Sequence, residues 1–351
     1  MIDLHDNVAE YYGETLQSSD DLLTNACCTM TRPPEHIARL LPLIADEVKD
    51  KYYGCGLTIP SCVKGLDVLD LGSGSGRDCY LVSALVGEAG HVTGVDMTDA
   101  QLSTARKYIE HHRDAFGFRN SNVEFVKGNI EALDELEFNP ASFDLVISNC
   151  VINLAADKQK VLDDVFRLLR PGGEIYFSDV YADRRVPLAL REDKVLWGEC
   201  LSGALYWNDF IGMARKAGFV DPRLVESHSI SIHSEDVEKR VGDIRFYSAS
   251  YRLMKIEGLE ASCEDYGQAV VYNGGIDEEP HGFSLDAHHY FPKGKTIPVC
   301  GNTFRMIHQS RYRPFFDFFG NEDVHYGIFE GCGIVMPFQA DDSSAAQASC
   351  C

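Results

Sequence analysis

From Asp67 onward, apolar positions alternate between short continuous runs and runs at helical spacing. Residues 68–71 read as a buried strand, a Gly-rich turn follows, and helical periodicity continues through Leu85. The pattern repeats with a strand at 91–96, a helix at 100–110, strands at 123–127 and 143–148, and a helix at 158–169. A strand at 174–179 comes after Pro171-Gly172-Gly173, then helical stretches at 186–198 and 209–217 and strand-like runs at 223–230 and 246–253. This alternation predicts an α/β fold, a doubly wound, mostly parallel sheet wrapped by helices. Ahead of it, Ile37, Leu40, Leu41, Ile44 and Val48 follow Pro33 and Pro34 at helical spacing, so residues 1–60 read as an N-terminal helical cap. Residues 61–256 form the main α/β region. From 257 to 340 the chain turns to Gly, Asp, His and aromatic residues with short strand signals such as 268–272, which predicts a small C-terminal β-containing region, either α+β or mainly β. Residues 341–351, rich in Ser and Ala without periodicity, are expected to be a mobile tail.

Composition narrows the ligand. Apolar residues are 45% and charged residues 25%, an ordinary globular balance. With 54 acidic against 32 basic residues the net charge is -22, so nucleic acid and anionic membrane surfaces are repelled, and a small neutral or cationic ligand is favoured. The first residues show no basic segment before an apolar stretch, and no run of 18 apolar residues occurs, so neither a leader peptide nor a membrane span is expected. A cytoplasmic setting follows as the expectation. There, the 12 cysteines should be mostly thiols, and their number calls for a chemical reason.

The turn Gly72-Ser73-Gly74-Ser75-Gly76 joins the first strand to its helix, where a doubly wound sheet lets a ligand approach the main chain and presents backbone N–H groups. A dinucleotide fingerprint requires a third glycine where this chain has Arg77, so a pyrophosphate is not specified. Asp70 before the turn and Asp96 closing the second strand suit a nucleoside without pyrophosphate, with the Asp96 carboxylate accepting from ribose hydroxyls. This stretch resembles the cofactor motif of the class I S-adenosylmethionine-dependent methyltransferases. The resemblance implies cofactor contacts from Tyr53, Gly72, Ser73, Gly74, Met97, Gln101, Ile130, Glu131 and Asn149.

Further segments carry a narrower likeness: Thr24-Asn25-Ala26-Cys27, Tyr52-Tyr53-Gly54-Cys55-Gly56, Ser148-Asn149-Cys150-Val151-Ile152-Asn153-Leu154 and Trp197-Gly198-Glu199-Cys200-Leu201. With Phe177-Ser178-Asp179-Val180-Tyr181 and Gly203-Ala204-Leu205-Tyr206-Trp207 they resemble the arsenite methyltransferases, above all the eukaryotic ones. The resemblance implies arsenite and methylated trivalent arsenicals as substrates. It also implies a disulfide relay among Cys27, Cys55, Cys150 and Cys200, reset by a thiol reductant, thioredoxin or glutathione.

The chemistry of sulfur agrees. Arsenic(III) is soft, and thiolates hold it where carboxylates and imidazoles do not. Three sulfurs, from Cys55, Cys150 and Cys200, leave a lone pair pointing away from them as the nucleophile. Cys150 falls just past the fourth strand, at the edge where such sheets place ligands. The aromatic surface of Trp197, Tyr206 and Trp207 is expected to exclude water around Cys200. Cys55, between Gly54 and Gly56, is expected in a turn free to move, with Cys27 as relay partner. Cys62, Cys79, Cys263, Cys300 and Cys332 read as small hydrophobes. Cys350-Cys351 reads either as an arsenic-capturing tail or as an incidental end, and the doublets His111-His112 and His288-His289 read as solvated. Two rival functions are a methyltransferase for another acceptor, which needs a general base, and a non-catalytic thiol store for metalloids, which has no use for the glycine turn.

Overall fold

The computed structural model describes residues 33–333, apart from 192, 194, 195, 198 and 199. Cys27, Cys28, Cys350, Cys351, Gly198, Glu199 and the greater part of the expected cap therefore lie outside the described residues. What is described of the cap is three short turns in place of one helix: a helix at Glu35–Ala38, a 3-10 turn at Leu41–Leu43 and a helix at Asp46–Asp50. Pro42 cannot donate to the preceding turn, which breaks the helical run. Ile37, Ile44 and Val48 still bury their side chains against the main sheet's flank.

Strands β1 (Asp67–Leu71), β2 (His91–Asp96), β3 (Val123–Lys127), β4 (Phe143–Asn149) and β5 (Leu169–Ala182) form a parallel set. The short β6 (Leu205–Tyr206) pairs with the end of β5, and β7 (Arg223–Ser229) and β8 (Phe246–Met254) close the sheet antiparallel. The order is β3-β2-β1-β4-β5-β8-β7. Chain direction across the sheet reverses between β1 and β4, and at such a switch point the C-terminal ends of the strands leave a crevice. Four loops therefore converge on one rim: the glycine turn, the end of β2, residues 128–131, and Asn149-Cys150. The central strands read as unbroken apolar runs because helices cover both faces, packing two separate cores.

Beyond β8, strands β9 (Glu264–Asp265), β10 (Gln268–Tyr272), β11 (Gly282–Ser284), β12 (Tyr290–Pro292), β13 (Thr296–Val299), β14 (Phe316–Phe319) and β15 (Gly327–Ile328) make small antiparallel sheets. A helix at Gly301–His308, which the sequence pattern did not predict, packs on them, so this region is α+β around its own aromatic core. Charge ties it to the main sheet. Glu174 of β5 is fully buried, and it meets Arg252 of β8 at 2.7 Å and Arg311 at 2.5 Å. Burial alone would raise the Glu174 carboxyl, but the two guanidinium groups outweigh it and hold it below its ordinary value. Arg252 also donates to Tyr312 Oη (2.8 Å) and Leu285 O (2.7 Å), and Arg223 of β7 meets Asp286 at 3.1 Å.

Candidate active site

The rim encloses a cleft of about 990 Å³, part of it open to solvent. Tyr53, Gly72, Ser73, Gly74, Asp96, Met97, Gln101, Ile130, Glu131 and Asn149 all line it. The glycine turn is built for shape. Gly72, Gly74 and Gly76 have φ of +70°, +52° and +87°, which disfavours a side chain. A Cβ on Gly72 would strike Val151, and one on Gly76 would strike Phe125. The turn does not hold out a row of free N–H groups as expected. Gly72 and Ser73 donate to Val95 O (2.8 and 3.0 Å), and Gly74 donates to Asp96 Oδ2 (2.8 Å). Asp96 Oδ1 accepts from Thr98 N (2.8 Å), so this carboxylate fastens the turn to β2 besides facing the cleft. The buried Ser73 hydroxyl has no hydrogen-bond partner among the described residues.

Three carboxylates, Asp70, Asp78 and Asp96, crowd beneath the turn. Burial first, then the charges of Asp78 and Asp96, push the Asp70 carboxyl up to about 8, against the opposing hydrogen bond from Cys79 Sγ at 3.1 Å. Burial likewise raises Asp96, while the backbone N–H groups of Thr98 and Gly74 pull it down. Asp78 was not among the expected residues. Its signal was a carboxylate in the first helical turn after Gly76. An acidic, phosphate-averse cleft with an orphaned buried hydroxyl fits a cationic nucleoside such as S-adenosylmethionine.

Asn149 does more than line the cleft. Its Oδ1 accepts from Cys55 N (2.8 Å) and Gly56 N (3.3 Å), and its Nδ2 donates to Gly56 O (2.8 Å), Tyr52 Oη (2.7 Å) and Asp78 Oδ2 (3.0 Å). Ser248 Oγ donates to Cys55 O at 2.8 Å. The turn carrying Cys55 is thus clamped, contrary to the expectation of free movement. A Cβ on Gly54 would meet Tyr52 and Asn149, and one on Gly56 would meet Ser178, so these glycines serve close approach.

The clamp sets Cys55 beside Cys150, and the two are joined in a disulfide. This pairs Cys55 with Cys150, where Cys27 was the expected relay partner. Cys200 lies next to them, with its Sγ 3.7 Å from Cys150 O. Cys150 and Cys200 have φ of +56° and +60°, a region costly for side chains and characteristic of functional sites. All three pack in an apolar cluster with Leu154, Leu196 and Trp197. Trp207 is 48% exposed and takes no part in excluding water, because it opens the helix Trp207–Ala217 on its outer side.

Two further groups were missed. Asp179 accepts from Asn153 N (2.9 Å) and Val180 N (2.8 Å), closing the loop after Cys150, and burial raises its carboxyl to about 6. Lys158 donates to Ala155 O (2.7 Å) with its ammonium 5.4 Å from the Trp197 ring centre. Burial lowers Lys158 to about 8, against the attraction of Asp179, and Cys200 lies within reach of its charge. Glu131 spends both carboxylate oxygens on Ala156 N and Asp157 N (2.8 and 2.9 Å). His112, expected in solvent, is buried against Tyr80 at 3.6 Å, and burial lowers it to about 4. Among the described residues, no helix is long and apolar enough to cross a membrane.

This cleft on this sheet defines a class I methyltransferase that uses S-adenosylmethionine, and residues 63–218 match the profile of a methyltransferase domain. Residues 266–351 match the profile of the arsenite methyltransferase C-terminal domain. The arsenite methyltransferase of Aquipseudomonas alcaligenes is 53% identical over 99% of this chain and 100% of its own length. That of Homo sapiens is 47% identical over 88% of this chain and 82% of its own. The crystal structure of an arsenic(III) S-adenosylmethionine methyltransferase from Chlamydomonas reinhardtii superposes with a TM-score of 0.83 at 51% identity, covering 85% of this chain and all of that one. The chain belongs to the arsenite methyltransferase family. Neither another acceptor nor a non-catalytic metalloid store is favoured.

Proposed function

We propose that the chain methylates trivalent arsenic held by Cys55, Cys150 and Cys200. One observation carries this reading: Cys150 both lines the cofactor cleft and packs with the other two cysteines, so cleft and thiol chamber meet at one sulfur. S-adenosylmethionine, when bound, supplies an electrophilic methyl on a positively charged sulfur. Asp70, Asp78 and Asp96 provide the negative field for that charge, Ser73, Met97, Gln101 and Ile130 shape the walls, and Tyr53 and Asn149 close the side toward Cys55. Arsenite exchanges three hydroxyls for three thiolate sulfurs, the three thiol protons leaving with the hydroxyls as three waters, so no external base is consumed. The apolar chamber keeps water from the arsenic lone pair, and Lys158 favours the thiolate of Cys200.

Methyl transfer leaves arsenic formally pentavalent. If Cys55 and Cys150 then couple, both As–S bonds break, one S–S bond forms, the electron pair returns arsenic to the trivalent state, and a water or small thiol takes the vacated position on the methylated arsenic with loss of one proton, which discharges the positive charge. The disulfide between them supports this step, with Cys27 as a further thiol for exchange. A thiol reductant, thioredoxin or glutathione, in the cytoplasm must reopen it before the next arsenite binds. We further propose a division into a cap (1–60), a catalytic region (61–256), a C-terminal region (257–340) and a tail (341–351). The test is label transfer from methyl-labelled cofactor to arsenite with excess dithiol. Label in mono- and dimethylated arsenic is expected for the wild type and none for Cys200→Ser, and full activity of that variant would refute the assignment.

A further inference from the structure

The Ser178 hydroxyl stands where a sheet covered on both faces ordinarily carries an apolar side chain. Ser178 lies within β5, 1% exposed, and its oxygen is 3.6 Å from the Cys55 sulfur, the hydrogen-bond partner this hydroxyl has among the described residues. Because that sulfur is bonded to Cys150 it carries no hydrogen, so the hydroxyl is the donor. The approach depends on a glycine: a Cβ on Gly56 would come within 2.4 Å of Ser178 Oγ. Ser248 of the neighbouring β8 holds the Cys55 carbonyl at 2.8 Å, so the sheet grips Cys55 at both its carbonyl and its sulfur. The two sulfurs of the disulfide are therefore unlike. The hydroxyl attends Cys55, whereas the cofactor cleft opens on Cys150 and is not lined by Cys55.

We propose that Ser178 is a catalytic residue of the step that reopens the disulfide, and that a thiol reductant enters by the cofactor cleft to attack the sulfur of Cys150. The inference rests on the relay between Cys55 and Cys150 proposed above. The attacking thiolate forms a bond to the Cys150 sulfur, the Cys55–Cys150 bond breaks, and the electron pair leaves on Cys55. A hydrogen bond to the charged form favours that form, so the Ser178 hydroxyl, keeping its own proton, makes Cys55 the better leaving group. Cys55 then takes up the proton that the reductant gave away. A second reductant sulfur attacks the first, closes the reductant's own disulfide and frees Cys150 as a thiol, so one pair of reductant thiols is oxidised for each protein disulfide reduced. Cofactor and reductant thus share one doorway and use it in turn. Spent cofactor has to leave before the relay is reset, and the next cofactor binds after it.

The test uses the full chain, oxidised. Wild type is mixed briefly with glutathione, quenched in acid, blocked with N-ethylmaleimide and digested, and the glutathione adduct is located by mass spectrometry. The adduct is expected on Cys150 with Cys55 blocked, and an adduct mainly on Cys55 overturns the proposal. An oxidised chain that holds no Cys55–Cys150 disulfide takes down the relay reading itself, and this step with it. Saturating S-adenosylhomocysteine should slow reduction by dithiothreitol about tenfold or more, since exchange depends on access, and an unchanged rate overturns the route of entry. In the reduced chain, Ser178→Ala should raise the pH midpoint for alkylation of Cys55 by about one unit, with the Cys150 midpoint moving less. An unmoved Cys55 midpoint, or equal movement of both, assigns Ser178 to packing alone and refutes its catalytic role.

Discussion

Replacing Asn149 with Ala removes the clamp on Cys55 without touching a sulfur. Its side chain makes the hydrogen bonds that fasten Cys55 N and Gly56 O to the end of β4, and both ends of this contact are at 2.8 Å. At about 0.5–1.5 kcal/mol net for each of these, and somewhat more for the charged contact to Asp78, the anchor is worth about 2–3 kcal/mol. That free energy holds Cys55 within bonding reach of Cys150, so losing it lowers the effective concentration of one thiol at the other by about 30- to 150-fold. For a two-electron couple this makes the disulfide easier to reduce by about 40–65 mV. The assay is equilibration in glutathione redox buffers, an acid quench, differential alkylation and mass spectrometry of the Cys55 and Cys150 peptides. Methylation of arsenite should fall in step, because the relay closes less readily. If the Asn149→Ala midpoint equals that of the wild type, the clamp does not set the geometry of the pair and the argument fails.

Asp96→Asn leaves either Gly74 N or Thr98 N without an acceptor and removes the charge facing the cleft, so cofactor affinity should fall by about 10- to 150-fold, corresponding to about 1.5–3 kcal/mol. Calorimetry showing equal affinity would disprove this. Asp70, raised from 3.8 to about 8 by burial and its acidic neighbours, favours the ligand-free fold fully below its unfolded value, and that contribution is lost as pH rises through the folded one. A bound cation lowers it again and releases a proton, so cofactor affinity should climb as pH rises toward about 8 and then level, and Asp70→Asn should flatten the profile. Lys158→Met should slow alkylation of Cys200 by iodoacetamide at neutral pH, since it removes the nearby ammonium, and an unchanged rate would take Lys158 out of the site. Cys55→Ser should lose methylation of arsenite but keep that of the monomethyl substrate under excess small thiol. Equal loss on both would place Cys55 in every cycle.

Local pattern carried the elements furthest. Strands at 91–96, 123–127 and 268–272 occupy the residues that alternation predicts, because each buries one unbroken apolar or alternating run. The helix at Gly301–His308 was not legible, since Cys300 is an unusual cap and the segment is short. Residues of the cleft were readable because they follow consecutive strand ends, which the topology gathers at one rim. The partners of Asn149, 71 to 97 residues away, left no trace in spacing. Nor did the positive φ of Cys150 and Cys200, which is imposed by the loops that tertiary contacts close around them.

The buried charges around Glu174 bear on modularity. Sequence profiles divide the chain into two matched stretches, 63–218 and 266–351, and the main sheet ends at Met254, so a cut near residue 257 looks natural. Such a cut would strip Arg311 and Tyr312 from Glu174, Leu285 from Arg252 and Asp286 from Arg223, leaving buried charges short of partners. Breaking a buried pair costs about 3–5 kcal/mol, a large share of the net stability of an ordinary domain. The catalytic sheet is therefore completed in energy by residues that follow it in sequence, and a chain shortened there would reach the protease before it reached its fold.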